Sequence, residues 1–290
     1  MPPDVSPSRR LSAVLASAAI GALAAFAPVL VQAQEAPAAF VDDAAARGDT
    51  PSAQKGYDIA KQSDRTDFGF SDSIVEAEMV LRNSAGRETR RTFTFYTLEK
   101  ENEQVGDKSL VVFQSPPDVE GTSLLSHANI LTPDDQWLFL PALNRVKRIS
   151  SANKSGPFVG SEFAFEDFTI TELNKFTYAY IGEENYDGLV VDVLDRFPRY
   201  KKSGYSRQRV LIDRDIRQPR KLDFFDRRGD LLKTLTLEDY RNYDGVWRAQ
   251  TMRMTNHQSG KSTDLVYGDF EFGAGLGDRD FSRGVLGRVQ

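Results

Sequence analysis

From Ser73 onward apolar and polar residues alternate along the chain. Val75, Ala77, Met79 and Leu81 interleave with Glu76, Glu78 and Arg82, the pattern of a strand with one buried face. Ser84-Ala85-Gly86 predicts a hairpin turn into a second strand over 87–98, where Thr89, Phe93 and Phe95 share a face. Turn signals then recur at strand-length spacing: Pro116-Pro117-Asp118, Pro133-Asp134-Asp135, Tyr186-Asp187-Gly188, Asp213-Arg214-Asp215, Arg228-Gly229-Asp230, Tyr243-Asp244-Gly245 and Ser259-Gly260. Between them lie strand-like runs over 189–197, 208–213, 221–227, 231–240, 246–257 and 263–272. Units of about eight to twelve residues with tight turns predict an antiparallel meander. Helix is expected over 53–63 and in short pieces over 167–175 and 278–286.

Ahead of the meander, Arg9 and Arg10 precede an Ala-rich apolar run, Leu11 to Ala27, and Val31-Gln32-Ala33 fits a small-x-small cleavage site. That is the layout of a cleaved export signal over 1–33, which predicts a periplasmic protein, soluble after cleavage near Ala33. Ser8-Arg9-Arg10 hints at the twin-arginine route, but Ser12 stands where that signal prefers a bulky apolar residue. Residues 34–55 are rich in Ala, Pro, Asp and Gln and predict a disordered lead-in with at most one fraying turn of helix; residues 56–290 are expected to form one domain.

The stretch Asp134 to Phe168 departs from the rhythm. An apolar run, Trp137 to Leu143, breaks into the basic string Asn144-Arg145-Val146-Lys147-Arg148; a Ser/Asn/Lys/Gly loop follows, then phenylalanines among small or acidic residues. Phe93, Phe95, Trp137, Phe139, Phe158, Phe163 and Phe165 are candidates for lining an apolar cavity, although a strand-rich domain also buries aromatics in its core. Arg145, Lys147, Arg148 and Lys154 are candidates for meeting lipid head groups or a protein partner, against the plainer reading of a solvated strand. Arg199-Tyr200-Lys201-Lys202 has the same two readings.

Composition narrows the chemistry. Cysteine is absent, which excludes disulfides, thiol catalysis and a lipid-anchored cysteine. A net charge of −5 argues against general nucleic-acid binding. His127 and His257 are the only histidines, with no metal-ligand spacing around them, and no G-x-S-x-G elbow is present. Gly260-Lys261-Ser262 lacks the earlier glycine of a phosphate loop, Thr255 standing in its place; it reads as a hairpin turn. Glu162, Glu166 and Asp167 are better placed for a solvated face or helix cap than for acid–base work. Neither catalysis nor a cofactor or metal is expected.

Several segments carry a resemblance: Gly56-Tyr57-Asp58-Ile59-Ala60, Asp64-Arg65, Asp67-Phe68-Gly69-Phe70-Ser71-Asp72-Ser73, Lys108 to Phe113 (KSLVVF), Gly229 to Thr236 (GDLLKTLT), Asn256 to Ser262 (NHQSGKS) and Asp278 to Ser282 (DRDFS). Together with Asp134–Phe168, these resemble the bacterial outer-membrane lipoprotein-sorting-like periplasmic proteins, distant relatives of the carriers LolA and LolB. The resemblance implies a mainly β fold: a large antiparallel, incompletely closed half-barrel of about eleven strands, with short helices covering its open side. It implies a carrier that sequesters the acyl chains of lipid or lipoprotein cargo without a covalent step, touches membranes transiently and works beside an RND-type inner-membrane transporter. A monomer is expected. The alternative is an envelope sensor or docking module on the same fold.

Overall fold

The computed structural model describes residues 43–100, 105–130, 132–168 and 172–288. The export-signal reading and the lead-in up to residue 42 lie outside the described residues. Among the described residues two helices come first, α1 (Ala44–Arg47) and α2 (Pro51–Arg65). Residues 43–55, read from sequence as part of a disordered lead-in, are therefore largely helical. Local chemistry explains the difference: Asp43 caps α1, the Thr50 hydroxyl accepts from the Ala53 amide at 3.1 Å, and Pro51 occupies the first turn of α2, where its missing N–H is no loss. Ile59 and Tyr57 are buried, and Gly56 lets α2 lie directly on a strand: a Cβ there would stand 3.0 Å from the Tyr180 amide nitrogen.

Among the described residues fourteen strands follow: β1 (Asp72–Arg82), β2 (Glu88–Leu98), β3 (Val105–Ser115), β4 (Ser123–Asn129), β5 (Asp135–Leu140), β6 (Arg145–Arg148), β7 (Phe176–Tyr186), β8 (Leu189–Pro198), β9 (Tyr205–Asp213), β10 (Pro219–Asp226), β11 (Leu231–Tyr243), β12 (Val246–Asn256), β13 (Ser262–Tyr267) and β14 (Glu271–Phe272). They form one antiparallel sheet in which β6 to β1 run in reverse order, β1 pairs with β13, and β13 descends to β7; β14 adds to β1. The sheet is an incompletely closed half-barrel with β6 and β7 at its two ends. The strand count exceeds the expected eleven or so. The four residues of β6 and the two of β14 are too short to show an alternating pattern.

Directly opposed residues project from the same face. Leu194, Val210, Leu222, Leu235 and Met254 oppose one another in turn across β8 to β12, and Met79, Leu265 and Met252 continue this inner face through β1, β13 and β12. The long crossover connection between β6 at one end of the sheet and β7 at the other packs its described residues on the inner face, where Phe158, Phe163 and Phe168 join Phe113, Leu194 and Leu222. Among the described residues it carries three short 3-10 turns, Phe158–Gly160, Phe165–Phe168 and Leu173–Lys175. The outer face of β3 to β5 is buried as well: Leu110, Val112, Leu125 and Trp137 pack with Phe281 and Leu286 of the C-terminal segment.

Candidate functional site

The crossover packs aromatic rings against the inner face. Phe158 is fully buried, with its ring centroid 5.8 Å from Phe113, 4.3 Å from Phe168 and 5.6 Å from Phe165; Phe93 joins through Phe113 at 5.7 Å. Polar side chains pin this plug to the sheet. Glu166 accepts from the Gly204 amide at 2.8 Å, Ser203 at 2.9 Å and Tyr200 at 3.2 Å. Asp167 pairs with the Lys233 ammonium at 2.7 Å and accepts from the Tyr205 hydroxyl at 2.9 Å. Asn256 donates to Glu162 at 2.7 Å, Gln136 to the Phe165 carbonyl at 2.8 Å, and Arg91 to the Val159 carbonyl. Glu166 and Asp167 are thus interior anchors rather than a solvated face. Burial, reinforced by the neighbouring Asp167, raises the pKa of Glu166.

Beyond the plug the inner face is open. A cavity of about 380 Å³ lies between α2, the crossover and strands β7 to β13. Its apolar wall is built by Leu194, Val210, Ile212, Leu222, Leu237 and Leu265, with Met252 and Met254 adding side chains that adapt to irregular shapes. Phe95 and Phe163 line it, as does Phe168 from the end of the plug. Phe93, Phe158 and Phe165 belong to the plug and the core beneath it. Trp137 and Phe139 lie on the outer face in the C-terminal cluster, and the Trp137 ring stands 5.1 Å from the His127 ring. Their neighbour Leu138 opposes Leu124 and faces inward. One step of alternation separates the two faces, and both are covered by protein.

The basic candidates separate in the same way. Arg145, Lys147 and Arg148 are exposed on the edge strand β6, beside Leu143, which is 68 % exposed; Arg148 pairs with Asp135. Lys154 is buried, donates to the Asp134 carbonyl and has its pKa lowered by burial, so it holds the plug instead of facing solvent. Arg199 donates to Asp43 and to the Asn174 carbonyl. His127 bonds the Phe281 carbonyl at 2.7 Å and His257 the Thr234 hydroxyl at 2.8 Å.

Polar cavity residues that the sequence did not point to include Asp64 and Asp67 at and just past the end of α2, Lys175, Arg196 on β8 and Gln208 on β9. Burial, with the nearby carboxylates of Glu172 and Asp67, pushes Asp64 up to about 8. The Asp67 side chain is 45 % accessible, but it borders the cavity, and the surrounding protein raises its pKa despite its ion pair with Arg248. Arg196 donates from Nε to the Gln208 side-chain oxygen at 2.7 Å and lies over the Phe176 ring at 4.6 Å; burial lowers its pKa. The site is an apolar chamber with a few ionisable groups in its wall, as in many small-molecule pockets.

A family model described as "Uncharacterized protein" matches residues 106–288. Among solved structures, the chain is similar to a domain from Vibrio parahaemolyticus named for outer-membrane lipoprotein sorting. The two share 47% identity with a TM-score of 0.78, over 81% of this chain and 99% of that one. A DUF1329 family protein from Desulfovibrio piger is 30% identical with a TM-score of 0.77, over 82% of this chain and all of that one, 100%. A LolA superfamily protein from Nitrosomonas europaea, 20% identical with a TM-score of 0.64 over 82% and 100% of the two chains, has the same fold. No curated protein matches the chain by sequence.

Proposed function

Given that the chain belongs to the outer-membrane lipoprotein-sorting-like family, we propose that it is a periplasmic carrier which sequesters an acyl chain of a lipid or lipoprotein in the half-barrel cavity and passes it between membranes. The observation that carries this reading is the cavity itself: apolar space left open on the inner face of a sheet, beside the part covered by the crossover. Each methylene withdrawn from water contributes about 0.8 kcal/mol, so part of one chain suffices for reversible binding. Release requires only an acceptor with higher affinity. At about 380 Å³ the cavity sits near the lower end of ligand pockets, roughly 300–1,000 Å³, which favours one chain over a bundle of several.

The exposed edge strand β6, with Arg145, Lys147 and Arg148 beside Leu143, is the surface we assign to docking, on anionic head groups or on an RND-type inner-membrane transporter. Short, basic edge strands also discourage sheet-to-sheet pairing, so docking needs its own test. In a transfer assay between donor and acceptor vesicles carrying a fluorescent phospholipid, the protein should accelerate transfer in proportion to its concentration. Replacing Arg145 and Lys147 with glutamate should slow transfer to anionic vesicles while leaving ligand uptake from solution intact. Transfer no faster than the spontaneous rate would remove the carrier reading and leave the docking module.

A further inference from the structure

Two cations line the cavity, and the protein treats them differently. Lys175 is neutralised by Asp134 at 2.7 Å. Arg196 has no carboxylate within ion-pair distance among the described residues, and its one hydrogen bond is from Nε to Gln208. Five other arginines of the sheet do have acids: Arg207 and Arg209 share Asp195, Arg220 has Asp213, and Arg82 and Arg253 share Asp264; Arg91, like Arg196, bonds a neutral oxygen, but a backbone carbonyl outside the cavity lining. A guanidinium taken from water into an apolar chamber without a counter-ion is unfavourable. Its remaining donors form a planar fork suited to two oxygens of one anion. Arg196 stands in the same inward set as Leu194, and its partner Gln208 stands in the same set as Val210. The fork therefore opens beside the apolar wall instead of on the outer surface.

We infer that the cavity takes an anionic amphiphile, with the acyl chain along Leu194, Val210, Leu222 and Leu237 and its carboxylate or phosphate held by the Arg196 guanidinium. Gln208 positions Arg196 through the Nε bond, and the Phe176 ring supports its face. The inference rests on the acyl-binding reading above and narrows it to a ligand with a negative group one chain's length or less from the cavity floor.

The test is displacement of cis-parinarate fluorescence from the full chain by palmitate, hexadecyl phosphate, hexadecanol and inorganic phosphate. Palmitate and hexadecyl phosphate should bind at least tenfold more tightly than hexadecanol, a difference of about 1.4 kcal/mol. Arg196→Gln should shrink that preference to about twofold, and Arg196→Lys should retain part of it. Equal affinity of the wild type for palmitate and hexadecanol overturns the anion anchor while the carrier reading stands, and this comparison needs no variant to fold. Displacement by inorganic phosphate alone, at concentrations comparable to the acyl compounds, overturns the amphiphile in favour of a simple anion site. If neither parinarate nor any acyl compound binds, the carrier reading itself falls.

Discussion

Replacing Phe158 with alanine tests whether the crossover is a fixed wall of the cavity. The ring is fully buried and packs against Phe113, Phe165 and Phe168 at centroid distances of 5.8, 5.6 and 4.3 Å. A buried Phe→Ala change costs about 3–5 kcal/mol, the larger values arising where the surroundings cannot collapse into the space. Collapse is restricted here. The Phe158 amide donates to the Phe163 carbonyl at 2.7 Å, the Ser161 hydroxyl to the Phe158 carbonyl at 2.7 Å, and Arg91 holds the next carbonyl, that of Val159. The upper part of the range, about 4–5 kcal/mol, is therefore expected, with a melting temperature lower by roughly 8–20 °C. Urea unfolding followed by tryptophan fluorescence, reported by Trp137 and Trp247, should show a lower midpoint with an unchanged slope. Phe95→Ala is the control: that ring already borders empty space, so its loss should cost less than half as much. A loss below about 1 kcal/mol for Phe158→Ala would refute the reasoning, because a packed wall cannot give up its central ring so cheaply; the crossover would then be a mobile lid.

Leu237→Trp places a large ring in the cavity and should abolish palmitate displacement of parinarate while lowering the urea midpoint only slightly. Lys233→Met leaves Asp167 buried beside Tyr205 without its ammonium and should cost about 3–5 kcal/mol in urea unfolding; adding Asp167→Asn should recover most of that loss. Asp64 and Asp107 are both pushed up to about 8 by burial, with Glu172 adding to each. The native state therefore holds these protons more tightly than the unfolded chain. Their contribution is complete below about pH 4 and is lost as pH rises through 8. Thermal melts should show stability falling between pH 5 and 8.5, with a smaller fall in Asp64→Asn; an identical fall in the variant would contradict the assignment.

The meander was legible because alternation such as Val75-Glu76-Ala77-Glu78-Met79 and its turn residues are local signals. The pairing of β1 with β13 joins residues far apart in sequence, and nothing in either strand announces it. Trp137 and Phe139 were attractive cavity candidates because an apolar strand records burial but not direction. In β5 both faces are covered, by the crossover on one side and by Phe281 and Leu286 on the other. Glu166, Asp167 and Lys154 looked like surface residues because their partners, at Gly204, Lys233 and Asp134, come from other strands and turns. Arg196 was hidden for a related reason. In Val190 to Arg196 each alternate set mixes apolar and charged residues, so neither set reads as inward until Val210 and Gln208 are placed opposite.

The central claim, that the half-barrel cavity holds an acyl chain, is tested most directly by native mass spectrometry of the protein released gently from its native cells. A mass increment of a single acyl-bearing ligand per chain, lost on solvent extraction and restored by added lipid, is the predicted result. A bare chain that also fails to take up added phospholipid or palmitate would contradict it.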